Sequence, residues 1–306
     1  MNDKPAIGFI GVGYMGHGMA KNLIRKGYHV SVLGNRNRKP VEDLVSIGAR
    51  EAESPRELAE TSSIVHLCLS NSSQVEAVMD GENGLLAGAH EGLIVIDTTT
   101  ADPDSTLALA ERLGAKGGIF VDAPLGRTPK EAEEGTLDCM VGCNEDVFER
   151  VKPVIECWAS NIRHVGPVGS GHKMKLVMNF ISMGYAALYA EAVVVAAKSG
   201  IAPGTVRDVI GSSRLTNGFF DTFMRYVVDR DLEVHKFTIE NASKDLRYLN
   251  AMAEANGVDG KVAPAMWHYF KEAEASGAGS DYVTTISDYV ARLNGADLAA
   301  MAKTSA

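Results

Sequence analysis

Three stretches carry residue types at spacings that can do chemistry. The first is GVGYMG at 11–16, which fits the pattern G-x-G-x-x-G. It follows the apolar run AIGFI (6–10) and opens a helical pattern in which Met15, Met19, Leu23 and Lys26 recur at spacings of three and four, closed by Gly27. In that context the loop predicts a pyrophosphate site. Gly11 permits the tight turn, Gly13 lets the backbone approach the ligand and Gly16 lets helix and strand pack closely. Val12, Tyr14 and Met15 complete the lining, and the helix N-terminus supplies N–H groups and a positive dipole end. An ordinary glycine-rich strand-to-helix turn is the competing reading.

The second stretch is LGNRNRKP (33–40), at the end of the next strand pattern. A dinucleotide site for NAD commonly has an acid there to hold the ribose hydroxyls. This chain has no acid before Glu42 and presents Asn35, Arg36, Asn37 and Arg38. An arginine accommodates a 2′-phosphate that an acid would repel. The expected cofactor is therefore NADP(H); the alternative is that Arg36 only stacks on the adenine.

The third stretch is VDAPLGRTP (121–129). It leaves an apolar strand pattern and puts Gly126, Arg127 and Thr128 at the strand mouth. A guanidinium there is either a solvated charge, paired with Glu131 or Glu133, or a fork for an anion.

These stretches need a scaffold, and the bulk composition allows one. The chain has 306 residues, 45% hydrophobic and 23% charged, which suits one large or two ordinary globular domains. A net charge of −9 makes nucleic acid an unexpected partner. Cys68, Cys139, Cys143 and Cys157 have neither C-x-x-C spacing nor histidine neighbours that would complete a metal site, and the eight histidines are scattered. No metal is expected, and the cysteines read as free thiols in a reducing cytoplasm. MNDKPAIGFIGVG lacks a basic segment followed by a long apolar one, and no 18 apolar residues run uninterrupted, so neither a signal peptide nor a membrane span is expected.

Strand patterns occur at 6–10, 29–34, 62–70, 93–100, 117–125, 137–142 and 161–166, with helical patterns at 15–26 and 39–48. Such alternation predicts a mainly parallel sheet with ligands beyond the carboxyl ends of its strands. After 169 the pattern changes. Residues 172–199 read as one long helix, apolar on most faces and so expected to be buried on most faces. Helices are expected at 204–212, 217–230, 239–256, 262–276 and 280–293. The domain boundary is expected at 168/169, giving residues 1–168 and 169–306.

GFIGVGYMGHGMAKNLIRKGYHV, DTTTADP (97–103), DAPLGRTPKEAEEGTLDCMVG (122–142), GSGHKMKLVMN (169–179) and KDL (244–246) stand in an order that resembles the β-hydroxyacid dehydrogenases. That family includes 3-hydroxyisobutyrate dehydrogenase and tartronate semialdehyde reductase and is related to 6-phosphogluconate dehydrogenase. The resemblance covers nearly the whole chain. It implies an α/β fold: an N-terminal Rossmann doubly wound sheet joined by a long helix to an all-α C-terminal domain, in a homodimer or homotetramer.

Gly169, Gly171 and Lys175 match the family motif G-x-G-x-x-x-K, whose lysine is catalytic. An ammonium beside a carbonyl oxygen stabilises the charge built by hydride transfer and can donate the proton. Asn179, four residues on and on the same helix face, matches the asparagine that orients the substrate. Lys173 would point elsewhere, and a surface role for Lys175 is the competing reading. By the same resemblance Leu69 and Ser70 lie over the middle of the cofactor, Thr100 approaches the nicotinamide ribose, and Lys244 with Asp245 closes over the nicotinamide.

Two departures matter. The family commonly reads D-A-P-V-S-G-G, whereas here Gly126, Arg127 and Thr128 occupy the serine position and the two after it. Met178 replaces the first of two asparagines. The G-R-T loop resembles that of the sulfolactaldehyde reductase branch. The expected activity is thus NADPH-dependent, reversible reduction of a small oxo compound bearing an anion, preferably sulfonate or phosphonate. Conventional 3-hydroxy-carboxylic acid oxidation is the alternative, and a non-enzymatic dinucleotide sensor, which should have lost Lys175 or Asn179, is the reading from a different class.

Overall fold

Alternating apolar runs and amphipathic helices build the first part of the computed structural model, which describes residues 4–303. The strands are β1 (Ile7–Ile10), β2 (Val30–Leu33), β3 (Arg50–Ala52), β4 (Ile64–Leu67), β5 (Ile94–Asp97), β6 (Ile119–Asp122), β7 (Leu125–Gly126), β8 (Leu137–Gly142) and β9 (Ala159–Gly166). They form one sheet in the order β3-β2-β1-β4-β5-β6-β8-β7, with β9 against β8. The first six are parallel, and β8 runs antiparallel to β6 and β7. The 3-2-1-4-5-6 order is that of a Rossmann sheet.

The helices between are α1 (Gly16–Arg25), α2 (Lys39–Ser46), α3 (Pro55–Thr61), α4 (Ser72–Met79), α5 (Leu85–Gly88), α6 (Pro103–Gly114), α7 (Pro129–Glu134) and α8 (Glu145–Ile155). Strand side chains alternate between two cores because successive residues of a strand point to opposite faces. Ile7, Phe9, Val30, Val32, Ile64, Ile94 and Ile96 pack with α1, α2 and α8. Ile10, Val65, Leu67, Val95 and Phe120 pack with α3 to α6 on the other face. On the first face His66 is fully buried, stacked on Phe9 at 5.3 Å and edge-on to the buried Trp158 at 5.9 Å.

Several expectations shift in detail. The run expected as one strand over 117–125 breaks after Asp122, where Pro124 has no N–H to continue the ladder. β3 and β7 were not expected; each is three residues or fewer, too short to show a period. The chain divides into two compact units at Lys175/Leu176, not at 168/169. The first turn of the long helix α9 (Ser170–Lys198) is hydrogen-bonded to Asp122 of the sheet and so belongs to the first unit.

The second unit is helical: the rest of α9, then α10 (Pro203–Gly211), α11 (Gly218–Asp229), α12 (Ile239–Ala255), α13 (Val262–Ala273), α14 (Ile286–Leu293) and α15 (Leu298–Lys303). Leu176, Met183, Ala186, Ala187, Ala190, Val193, Val194 and Ala197 form the inner stripe of α9 in its core. By length and composition alone α9 would suit a membrane crossing, but 44% of its most apolar window is buried inside the chain. Contrary to expectation, α9 is not buried on most faces: Ile181, Leu188 and Val195 are 50%, 58% and 60% exposed. The helix is apolar all round, and only one face finds partners in the chain. The helix expected over 280–293 begins only at Ile286, because Tyr282 first bridges to Thr238 and a 3₁₀ turn covers Val283–Thr285.

Candidate active site

The parallel strands end together, so the loops after β1, β2, β4 and β5 gather along one edge of the sheet. The first is the glycine loop. Gly11 has φ +95°, and a Cβ there would lie 2.2 Å from the Cys68 carbonyl oxygen. A Cβ on Gly16 would lie 2.0 Å from the Gly11 carbonyl oxygen. Both positions need glycine because backbone meets backbone. Gly13, by contrast, faces open space, and the first turn of α1 has no acidic residue. The residues present therefore fit a dinucleotide pyrophosphate over Gly13. Val12 is buried, Met15 half-buried and Tyr14 90% exposed.

At the end of β2, Asn35 and Asn37 accept the N–H groups of Arg36 and Lys39, holding the exposed loop in local turns. The two arginines then differ. Arg38 forms a two-point contact with Glu51, both bonds 2.7 Å. Their hydrogen bond holds the Glu51 carboxyl below its usual range. Arg36 has no ion pair among the described residues. Farther along the edge, the Leu69 N–H donates to Thr99 Oγ1 at 3.1 Å, and the Ser70 N–H donates to the side chain of Gln74 at 3.1 Å. Thr100, next to Thr99, is half-buried.

Asp122, at the end of β6, reaches across to the start of α9. Its Oδ1 accepts the Gly169 N–H at 2.6 Å and its Oδ2 the His172 N–H at 2.8 Å. It is fully buried, as is His172, whose Nδ1 lies 2.7 Å from Thr106 Oγ1. Asp97 is buried beside them, 3.9 Å from His172 Nε2; burial pushes its carboxyl up, while the histidine opposes that rise. A Cβ on Gly171 would meet the Met140 carbonyl oxygen at 2.5 Å. The helix thus starts hard against β8 and β6, in a fixed register. Lys175, one turn later, is half-buried, whereas Lys173 is exposed, as the spacing predicts.

The loop after β7 carries Arg127. Arg127 has φ 75°, one of two non-glycine residues with positive φ among those described. Its Nε donates to Asp138 Oδ1 on β8 at 3.0 Å. The expected alternative pairing with Glu131 or Glu133 does not occur. Glu131 closes a capping box on α7, accepting from the backbone and hydroxyl of Thr128, and that hydroxyl holds its carboxyl below the usual range. Glu133 instead meets His17 and Lys21 of α1 at 2.6 and 3.0 Å. The Thr128 hydroxyl is therefore already a donor to Glu131.

Within the second unit, Asn179 and Lys244 converge on one buried carboxylate. Asn179 Nδ2 donates to Asp245 Oδ2 at 2.6 Å, and Lys244 Nζ lies 3.1 Å from Asp245 Oδ1. Asp245 orients the asparagine amide so that its oxygen is the atom left over. Sequence reading paired Asp245 with Lys244 but did not link it to Asn179, since those residues are far apart in the chain. Asp138 is a site residue that the sequence pattern does not single out. Its signal, an acid opposite the arginine loop in a hairpin, becomes visible only once the strands pair. Among the described residues no group of three His, Cys, Asp or Glu is arranged to hold a metal ion.

Comparison with known proteins finds relatives over nearly the whole chain. Residues 6–166 match the NAD-binding domain of 6-phosphogluconate dehydrogenase, and residues 169–289 the NAD-binding domain of NADP-dependent 3-hydroxyisobutyrate dehydrogenase. The chain is 32% identical to 2-(hydroxymethyl)glutarate dehydrogenase of Eubacterium barkeri, over 94% of this chain and 95% of that one. It is 32% identical to 3-sulfolactaldehyde reductase of Escherichia coli, over 93% and 95%. The crystal structure of 3-hydroxyisobutyrate dehydrogenase from Salmonella typhimurium superposes with a TM-score of 0.81 at 25% identity, covering 94% of this chain and all of that one. The glycine loop, the Asp122-anchored helix bearing Lys175 and these full-length likenesses make the chain a member of the β-hydroxyacid dehydrogenase family, an NAD(P)-dependent oxidoreductase acting on CH–OH groups.

Proposed function

We propose that the protein uses NADPH to reduce, reversibly, a small aldehyde or ketone that bears a sulfonate or phosphonate. The observation that carries this reading is Arg127. It stands at the mouth of β7 in a left-handed conformation, held only at Nε, and its two terminal nitrogens have no hydrogen bond among the described residues. Non-glycine residues occupy that conformation at a cost of about 1 kcal/mol, so the loop is built to present this side chain. Two parallel N–H groups match two oxygens of an oxo-acid. The likeness to a 3-sulfolactaldehyde reductase supports the choice. The likeness to a hydroxymethylglutarate dehydrogenase keeps the carboxylate reading as the second one.

A dinucleotide held over Gly11, Gly13 and Gly16 would supply the hydride for the carbonyl carbon. Lys175 gives the carbonyl oxygen its ammonium proton and takes another from solvent afterwards; in the oxidative direction it removes the hydroxyl proton. Asn179, one helical turn on, orients the substrate through the atoms its bond to Asp245 leaves over. NADPH is preferred over NADH because Arg36 has no carboxylate partner, while Glu51, the nearby acid, is neutralised by Arg38. Four free cysteines support a cytoplasmic setting. The apolar outer face of α9, with Ile181, Leu188 and Val195, supports a homodimer or homotetramer.

The test is kcat/KM with NADPH for three-carbon oxo compounds ending in carboxylate, sulfonate or phosphonate, in wild type and Arg127→Ala. The reading expects the sulfonate or phosphonate to lead and the lead to collapse in the variant. A carboxylate lead that survives Arg127→Ala assigns the protein to the conventional hydroxyacid dehydrogenases.

A further inference from the structure

We propose that Asp138 decides which anion the arginine loop accepts, favouring a singly charged sulfonate over a doubly charged phosphonate. This rests on the reading of Arg127 as the partner of the substrate's anion. Gly126 of β7 pairs directly with Asp138 of β8 across the hairpin. Residues opposite each other share a sheet face, and here one of them has no side chain. A Cβ at Gly126 would lie 3.1 Å from the Asp138 Cβ, so the bare glycine leaves that side chain unpressed. The chain then turns at Arg127, φ 75°, and brings its Nε 3.0 Å from Asp138 Oδ1.

A guanidinium has two edges suited to a two-point contact: a side edge that includes Nε, and an end edge made by the two terminal nitrogens. Asp138 engages the side edge at Nε, and the end edge has no hydrogen bond among the described residues. It also cancels the charge, for Asp138 has no other ion pair among the described residues. A lone arginine attracts a dianion more strongly than a monoanion. An arginine already neutralised by a carboxylate keeps its hydrogen-bond geometry and loses that preference. At the neutral pair a second negative charge gains no net attraction and still loses its water, so the dianion is the poorer ligand. Asp138 is thus a positioning residue that acts through Arg127.

The experiment measures kcat and KM separately with NADPH, for a matched oxo-sulfonate and oxo-phosphonate, at a pH where the phosphonate is a dianion. Wild type is compared with Asp138→Asn, Asp138→Ser, Asp138→Glu and Arg127→Ala. Wild type should favour the sulfonate. Asp138→Asn should raise the phosphonate-to-sulfonate ratio of kcat/KM by about tenfold, the scale of one charge removed across a half-exposed guanidinium, mostly through KM. Asp138→Ser should do the same with a smaller side chain, and Asp138→Glu, which keeps the charge, should keep the wild-type ranking. An unchanged ratio in both neutral variants, or an equal loss on both substrates, overturns the role of Asp138. Arg127→Ala tells the two ideas apart. If it leaves every anion unaffected, the reading of Arg127 itself fails; if it abolishes anion preference while Asp138→Asn does nothing, only the inference about Asp138 fails.

Discussion

Replacing Asp122 should loosen the start of α9 and, with it, the aim of Lys175. The carboxylate is fully buried and accepts two backbone N–H groups, from Gly169 at 2.6 Å and His172 at 2.8 Å. Hydrogen bonds to a charged group contribute about 1.5–3 kcal/mol each. The positive end of the helix adds to them. Asp122→Asn keeps an acceptor oxygen for one N–H but turns an amide NH₂ toward the other. It should cost about 2–3 kcal/mol, and Asp122→Ala, which orphans both buried donors, about 3–5 kcal/mol. The assay is urea unfolding followed by a probe in the first unit, such as emission from the buried Trp158, with kcat for the NADPH reaction measured in parallel. Asp122→Asn should lower the urea midpoint without changing the slope, and in a parallel thermal melt should lower the apparent Tm by roughly 4–12 °C. It should lower kcat more than it raises the KM for cofactor, because the glycine loop does not touch this carboxylate. A variant within about 0.5 kcal/mol of wild type, with normal kcat, would refute the anchoring role of Asp122.

Further predictions test the remaining parts. Lys175→Ala should lower kcat by about 10²–10⁴ while NADPH binding, read by fluorescence, stays intact; equal loss of binding and turnover would mean the lysine is structural. Arg36→Ala should raise the KM for NADPH about tenfold or more and leave that for NADH nearly unchanged, whereas Arg38→Ala should mainly free Glu51 and repel NADPH; equal effects of Arg36→Ala on both cofactors would leave only adenine stacking. His66 should make the fold acid-sensitive. Burial lowers its pKa from 6.5 to about 3, so between those values only the unfolded chain takes up the proton. That stability is complete above about 6.5 and is lost as pH falls, at about 1.4 kcal/mol per unit, or roughly 2 kcal/mol by pH 5. His66→Leu should flatten the pH dependence of unfolding between about pH 5 and 7 by that amount, and an equally steep variant would put the acid sensitivity elsewhere.

Much of this molecule is local and therefore legible. Glycines at 11, 13 and 16 after an apolar strand imply a turn, an approach and a close packing that depend on neighbours within a few residues; the backbone has the turn at Gly11 and the packing at Gly16, and leaves open space at Gly13. The helices of the first half were open to the same reading. Ser54-Pro55, Asp102-Pro103 and Thr128-Pro129 are cap-and-proline pairs, and each opens a helix. The lysine choice was legible too, because helical spacing separates Lys173 from Lys175.

What the sequence determined by itself is the set of parts: a phosphate loop without an acid after it, a long helix bearing Lys175 and Asn179, and an arginine where a small loop is common. What the tertiary structure decided is who holds whom. Arg38 goes to Glu51 and leaves Arg36; Thr128 and Glu131 close on each other; Arg127 meets Asp138; Asn179 and Lys244 share Asp245. The outer face of α9 was misread for a related reason, since composition shows that a helix is apolar all round but not which side finds a partner. Propensities and turns act over a few residues and can be read along the chain. Charge pairing and burial depend on distance in space, and that distance is set only when the strands take their register.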